Sequence, residues 1–109
     1  MPEYLYRIRP TRADMVNLGA TPAEEAAIDL HFAYLQAAAA LGAVLLAGRT
    51  FTSDADSFGI VILRAESNSR ARAFMLADPA VNAGVMNAEL YPFRIALLTE
   101  KWRDFKVRE

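Results

Sequence analysis

His31 is the one histidine in this chain of 109 residues, and so the one side chain whose ordinary titration range lies near neutral pH. It stands in LHFAYLQ, between Ile28 and Leu35, on the flank of an apolar helical stripe where a polar ring has to find a partner. A histidine there can be a rim residue bonded to some carbonyl. It can also be a general base, taking a proton from a phenol or from a carbon next to a carbonyl and later returning it. Gly48 and Arg49 stand together in AGRT. A strand glycine lets a ligand or another backbone approach closely. A guanidinium can hold a carboxylate or enolate through two parallel N–H bonds. The plainer alternative is a bulge glycine beside a surface arginine. Tyr34, one turn after His31, either brings its hydroxyl to the same place or merely packs. Asp78 precedes Pro79, a dipeptide that commonly ends a helix while the carboxylate bonds nearby amides.

Other chemistries find no support. There are no cysteines, which removes disulfides, thiolate metal sites and cysteine nucleophiles together. One histidine without a tight acidic cluster gives no recognisable metal spacing. GATPAEE lacks the lysine of a phosphate-cradling loop. Ser53, Ser57, Ser67 and Ser69 sit in no nucleophile elbow. No cofactor is implied.

The net charge is −1 with acids and bases scattered, so no basic field awaits nucleic acid. Hydrophobic residues make up 54 % of the chain, enough to bury a core, and the length fits one small domain. The longest apolar run, AAAALGAVLLAG, is too short to span a bilayer and is broken by Gly42. MPEYLYRIRP has no basic segment followed by an apolar run. A soluble cytoplasmic domain without membrane or nucleic-acid partners is the expectation.

The elements that must position these groups are legible from periodicity. YLYRIR alternates Tyr4, Tyr6 and Ile8 with Leu5, Arg7 and Arg9, a strand with one drier face. Pro10 ends it, and residues 11–20 read as a loop. TPAEE opens a helix with Thr21 as N-cap and Glu24 completing a capping box, and Gly42 stops it. Ile28, Phe32, Leu35 and Ala39 make its apolar stripe, and Leu30, Ala33, Ala37 and Leu41 a second, weaker one. AVLLAGRTF and FGIVILRA are strands joined by the loop TSDAD. The second is apolar on both faces, as in a strand buried on both sides. SNSRARAFMLADP is a second helix opened by a serine or asparagine cap and closed by Asp78-Pro79. DPAVNAGVM is a turn with room for one helical turn. AELYPFRIALL is a last strand that Pro92 confines to an edge, an end or a bulge. Met75 and Met86 read as core.

The order β-α-β-β-α-β is that of an α+β, ferredoxin-like domain: a four-stranded antiparallel sheet with two helices on one face. Two short helices cover only that face. Strands apolar on both sides then ask for a partner on the other, and sheet-on-sheet packing in a homodimer is the simplest one.

HFAYLQAAAALGAVLLAGRT, FGIVIL and ARAFMLADPAVNAGVMNAELYPF, in this order and spacing, resemble the YCII-related (YciI-like) proteins, small ferredoxin-like domains that pair into dimeric α/β barrels. The resemblance covers residues 1–98 and leaves 99–109 as a charged tail with Trp102 and Phe105 as candidate anchors. It implies that the helix histidine and the aspartate of Asp-Pro, here His31 and Asp78, form the active-site pair. An imidazole bonded to a carboxylate is held in one tautomer, and its protonated form is stabilised. Some members of the family eliminate chloride from a chlorinated hydroxyhydroquinone, and the wider superfamily includes muconolactone isomerases. The loop of residues 10–22 and the charged tail depart from the family pattern, so the resemblance carries no substrate class.

Two functions are therefore expected in competition. One is a cofactor-independent lyase or isomerase acting on a small cyclic or enolisable compound, with His31 as base and acid, Asp78 orienting it, and Arg49, Gly48 and Tyr34 around the substrate. The other is a non-catalytic dimer that binds a small ligand or partners another protein, with the pair as a buried lock between helices. They differ in whether the pair faces a cavity or is sealed.

Overall fold

The structure, a computed structural model, describes residues 1–52 and 55–107. Ser53 and Asp54 of the TSDAD loop and the last two residues of the tail lie outside the described residues. The elements are β1 (Glu3–Pro10), α1 (Asp14–Leu18), α2 (Pro22–Ala40), β2 (Val44–Arg49), β3 (Gly59–Arg64), α3 (Asn68–Ala77), α4 (Pro79–Asn82) and β4 (Met86–Phe93). The four strands form one antiparallel sheet in the order β2-β3-β1-β4. Tyr4, Tyr6 and Ile8 of β1 and Val61 and Leu63 of β3 point to one face, where they meet Leu35 and Ala38 of α2 and Ala71 and Met75 of α3. This is the ferredoxin-like α+β arrangement, with both long helices on that face.

The opposite face carries Leu5, Leu46, Ile62, Tyr91 and Phe93, at register positions that alternate with the core residues. Leu46, Tyr91 and Phe93 are exposed. Arg7 crosses this face to Glu89 (2.9 Å), and Tyr91 donates to the other oxygen of Glu89 (3.0 Å).

Several boundaries differ from the sequence reading, each for a local reason. Residues 11–20 are not all loop, because Asp14–Leu18 closes one short helix. The last strand ends at Phe93 rather than running on to residue 98, because Phe93 pairs with Glu3, where β1 itself begins. Pro92 lies on this edge strand, where a missing N–H does little harm. Trp102 and Phe105 do not anchor the tail to this chain; both are exposed.

The largest correction concerns α2. Its buried side chains are Ala27, Leu35 and Ala38, with His31 and Tyr34 half-buried between them. Phe32, expected in the stripe, is 65 % exposed, and Ala39 is exposed too. The helix is rotated so that small residues face the sheet, which brings His31 from the flank to the middle of the inward face. Thr21 and Glu24 make the expected capping box, and Leu41 and Gly42 (φ +80°) close the helix.

Glu24 has a second task. Its carboxylate accepts from Arg12 Nε (3.0 Å) and Nη2 (2.7 Å), tying the segment before α2 to its first turn. The Arg12 hydrogen bonds, helped by the Thr21 N–H, hold the Glu24 carboxyl down at about 2, against an ordinary 4.5. The folded state therefore binds fewer protons than the unfolded chain between these values, and the pair's contribution is complete above about pH 4.5. It fades as pH falls toward 2. The melting temperature of Glu24→Gln should lie below that of wild type at pH 7, and the gap should narrow as pH is lowered through that window.

Candidate functional site

Asp78 is fully buried and occupies a corner of the chain. Its backbone ends α3, and its side chain caps α4 by accepting from the Ala80 N–H (3.0 Å). Tyr6, on the central strand β1, donates its hydroxyl to Asp78 Oδ2 (2.8 Å). His31 Nδ1 lies 2.7 Å from Oδ1 and 2.8 Å from Oδ2. Since both oxygens belong to a carboxylate, Nδ1 is the donor, and the neutral ring's lone pair sits on Nε2. Three donors from a strand and two helices thus converge on one carboxylate, which satisfies an otherwise costly buried group.

The sequence reading places Tyr6 only on the drier face of its strand and not in this constellation, although a signal for it exists. It is an inward tyrosine of an alternating strand, and a buried phenol needs a partner for its O–H. Burial and the facing Asp78 push its hydroxyl far above the usual tyrosine range, so it remains a donor. Tyr6→Phe should fold and lower stability by about 1–2 kcal/mol, because Asp78 keeps two of its donors. A denaturant titration checks this, and an unchanged midpoint would mean the bond carries nothing.

Where Asp78 is sealed, His31 is not. Its side chain is 13 % exposed and lines a cavity of about 560 Å³ between α1, α2 and the β2–β3 end of the sheet. Among the described residues nothing hydrogen-bonds Nε2. The lining is mostly apolar, including Met15, Ile28, Leu35 and Phe58, with Arg49, Thr52 and Ser57 at one side. Among the described residues no three histidine, aspartate or glutamate side chains converge on a metal position.

Arg49 reaches this cavity because of an irregularity in β2. The register shifts between Val44 and Leu46, so that Ala47 and Arg49 pair with Val61 and Gly59 and share the helix-covered face. Without that bulge the same strand would turn Leu46 and Gly48 inward and Arg49 out, since a one-residue slip exchanges the faces. The guanidinium donates from Nε to the Thr50 carbonyl (3.1 Å) and from Nη2 to that of Thr52 (3.2 Å). Its remaining N–H groups have no partner among the described residues. Gly48 also lines the cavity, with open space where a Cβ would be. Gly59 is the glycine whose absence of a side chain matters: an added Cβ would lie 3.1 Å from Ile8 Cγ1 and 3.2 Å from the Gly48 carbonyl.

Tyr34 does not line the cavity. Its hydroxyl donates to the Phe74 carbonyl (2.8 Å) and its ring packs on Phe74 at 4.7 Å, joining α2 to α3. One turn beyond His31 on a helix still leaves a direction to choose, and here it points to the helix interface.

Among curated proteins no sequence matches the chain. Among solved structures the fold is similar to that of a 5-chloro-2-hydroxyhydroquinone dehydrochlorinase (TftG) from Burkholderia phenoliruptrix AC1100, in complex with 2,5-dihydroxybenzoquinone. That match has a TM-score of 0.61 and 19 % identity, and covers 84 % of this chain and 93 % of the other. Residues 4–94 match the model of the YCII-related domain, and the chain belongs to that family.

Proposed function

We propose that the protein is a small-molecule-converting enzyme that moves protons without a bound cofactor, as a lyase or isomerase acting on a cyclic or enolisable compound. The observation that carries this reading is one imidazole with its two nitrogens in different surroundings. Nδ1 is fixed on a buried carboxylate, and Nε2 belongs to a side chain that lines a largely apolar cavity. In the proposed cycle Nε2 takes a proton from a ring hydroxyl or an activated carbon. Asp78 holds the ring in its tautomer and stabilises the imidazolium, and the proton is returned to product. Arg49 neutralises the negative charge that develops on the substrate oxygen, and Gly48 borders the cavity beside it. Loss of hydrogen chloride from a hydroxylated ring is chemistry of this type, and the dehydrochlorinase with a similar fold supports that choice of substrate class.

Asp78 also ties β1, α2 and α4 together, which is the task a purely structural pair would have. That reading leaves unexplained why the pair's imidazole borders a cavity. A homodimer belongs to the same proposal. A second copy laid on the open sheet face would cover Leu5, Leu46, Ile62, Tyr91 and Phe93, and a solution mass of a single chain would exclude it. The enzymatic reading is tested by incubating the chain with chlorinated hydroquinones, following chloride release, and with cyclic enones and lactones, following isomerisation by absorbance. Turnover that disappears in His31→Asn supports it; turnover that survives, or none on either panel, overturns it.

A further inference from the structure

The cavity wall made by residues 11–20 is held at its ends rather than along its length. At one end the Thr11 N–H donates to the Val85 carbonyl (2.9 Å). Arg12 grips Glu24 through two N–H groups and also donates to the Gly19 carbonyl (2.9 Å), pinning the other end. Between these points the backbone bonds outside the helix are local, from Met15 N–H to the Arg12 carbonyl and from Val16 N–H to that of Ala13. Helix α1 has five residues, no side-chain N-cap and no buried residue. A helix so short has no stability of its own. It ends on Gly19 at φ +95°, a backbone conformation that favours glycine. Yet Met15 and Val16 line the same cavity as His31 and are half-buried there. The facing walls are of another kind, since Ile28 and Leu35 belong to a nineteen-residue helix and Val61 to an inner strand.

We infer that α1 is the specificity-determining wall of the site. Met15 and Val16 set the bulk of the apolar ring edge admitted beside His31, and the Arg12–Glu24 pair holds that wall closed. The inference rests on the proposed reading of His31 and sharpens its substrate class: a single-ring compound with an ionisable oxygen toward Nε2 and an unsubstituted or alkyl edge toward α1. A polar group against Met15 and Val16 would lose its water and gain no hydrogen bond. One methylene of misfit in such a pocket discriminates by about 10- to 200-fold.

The test uses the full chain and two chromogenic phenols, 4-nitrophenol and 2-isopropyl-4-nitrophenol, titrated by the absorbance of the phenolate. Neither Met15 nor Val16 is fully buried, so alanine there should leave the fold intact, and a thermal melt verifies it. Met15→Ala and Val16→Ala should each shift the affinity ratio toward the isopropyl phenol by about tenfold. Arg12→Ala should speed both association and dissociation of 4-nitrophenol severalfold, with a smaller change in Kd. An unchanged ratio in both alanine variants, or no binding of either phenol to wild type, overturns the inference. If the ratio shifts while His31→Asn gives the same phenolate signal as wild type, the selecting wall stands and the proton-transfer reading falls.

Discussion

Replacing His31 with asparagine is expected to cut turnover by about 10²–10⁴-fold, the usual worth of a positioned general base, while the protein stays folded. The choice of asparagine follows from the geometry. Asp78 is completely buried, and one of its three donors is His31 Nδ1. Alanine would remove that donor and leave the carboxylate short of a partner, so that lost activity and lost stability would be confounded. An asparagine amide carries an N–H near the place of Nδ1–H and nothing in place of Nε2. It therefore keeps the tie to Asp78 and deletes the proton acceptor. Its cost to the fold should stay within about 1–2 kcal/mol, from a poorer helix former and a lost ring. Steady-state rates and a denaturant midpoint measured on one preparation separate the two effects. A variant that loses its stability along with its rate would mark His31 as a structural residue.

The largest effect on stability is expected at Asp78. Asp78→Ala would strand the Tyr6 hydroxyl, the Ala80 N–H and His31 Nδ1–H in a site without water access. Removing one side of such a buried network costs about 3–5 kcal/mol. The whole stability of a domain this size is about 5–15 kcal/mol. A fall in melting temperature of about 15–30 °C should follow, read by circular dichroism. Asp78→Asn discriminates further. With its oxygen kept at the Ala80 N–H, that same atom stays within reach of His31 Nδ1 (2.7 Å to Oδ1) and can go on accepting from it, while its NH₂ faces the Tyr6 hydroxyl, which can turn to accept. What the ring loses is the negative charge beside it. Asp78→Asn should thus recover much of the melting temperature lost by alanine, yet turn over more slowly than wild type, since no carboxylate stabilises the imidazolium. Nearly full activity in Asp78→Asn would show that the charge of Asp78 is not what supports His31.

What the sequence made legible depended on whether a feature was local. The capping box of Thr21 and Glu24, the stop at Gly42 and the corner at Asp78-Pro79 are set by neighbouring residues, and each is found in place. The sheet order follows from the alternation of element types. The rotation of α2 was not legible. Its residues are apolar nearly all round, so no face stands out, and the packing partners decided for Ala27, Leu35 and Ala38. The inward turn of Arg49 depends on the bulge in β2, which nothing in VLLAGR announces. The third donor on Asp78 came from Tyr6, in a strand far away in sequence, where only the need of a buried phenol for a partner gave a hint. The pairing of His31 with Asp78 was implied by family resemblance, and the observed distances of 2.7 and 2.8 Å give it a geometry; the catalytic roles stay with the proposal.

Asp78 at its corner and His31 on its helix also differ in what a lineage can afford to lose. A duplicated copy released from selection for turnover can exchange His31 for another donor in one step and keep its fold. The same copy cannot lightly exchange Asp78, because α4, β1 and α2 all lean on that carboxylate. Decay of the proposed site should therefore run in one direction. A silent descendant would be recognised by an intact Asp-Pro corner facing a helix position that no longer holds histidine.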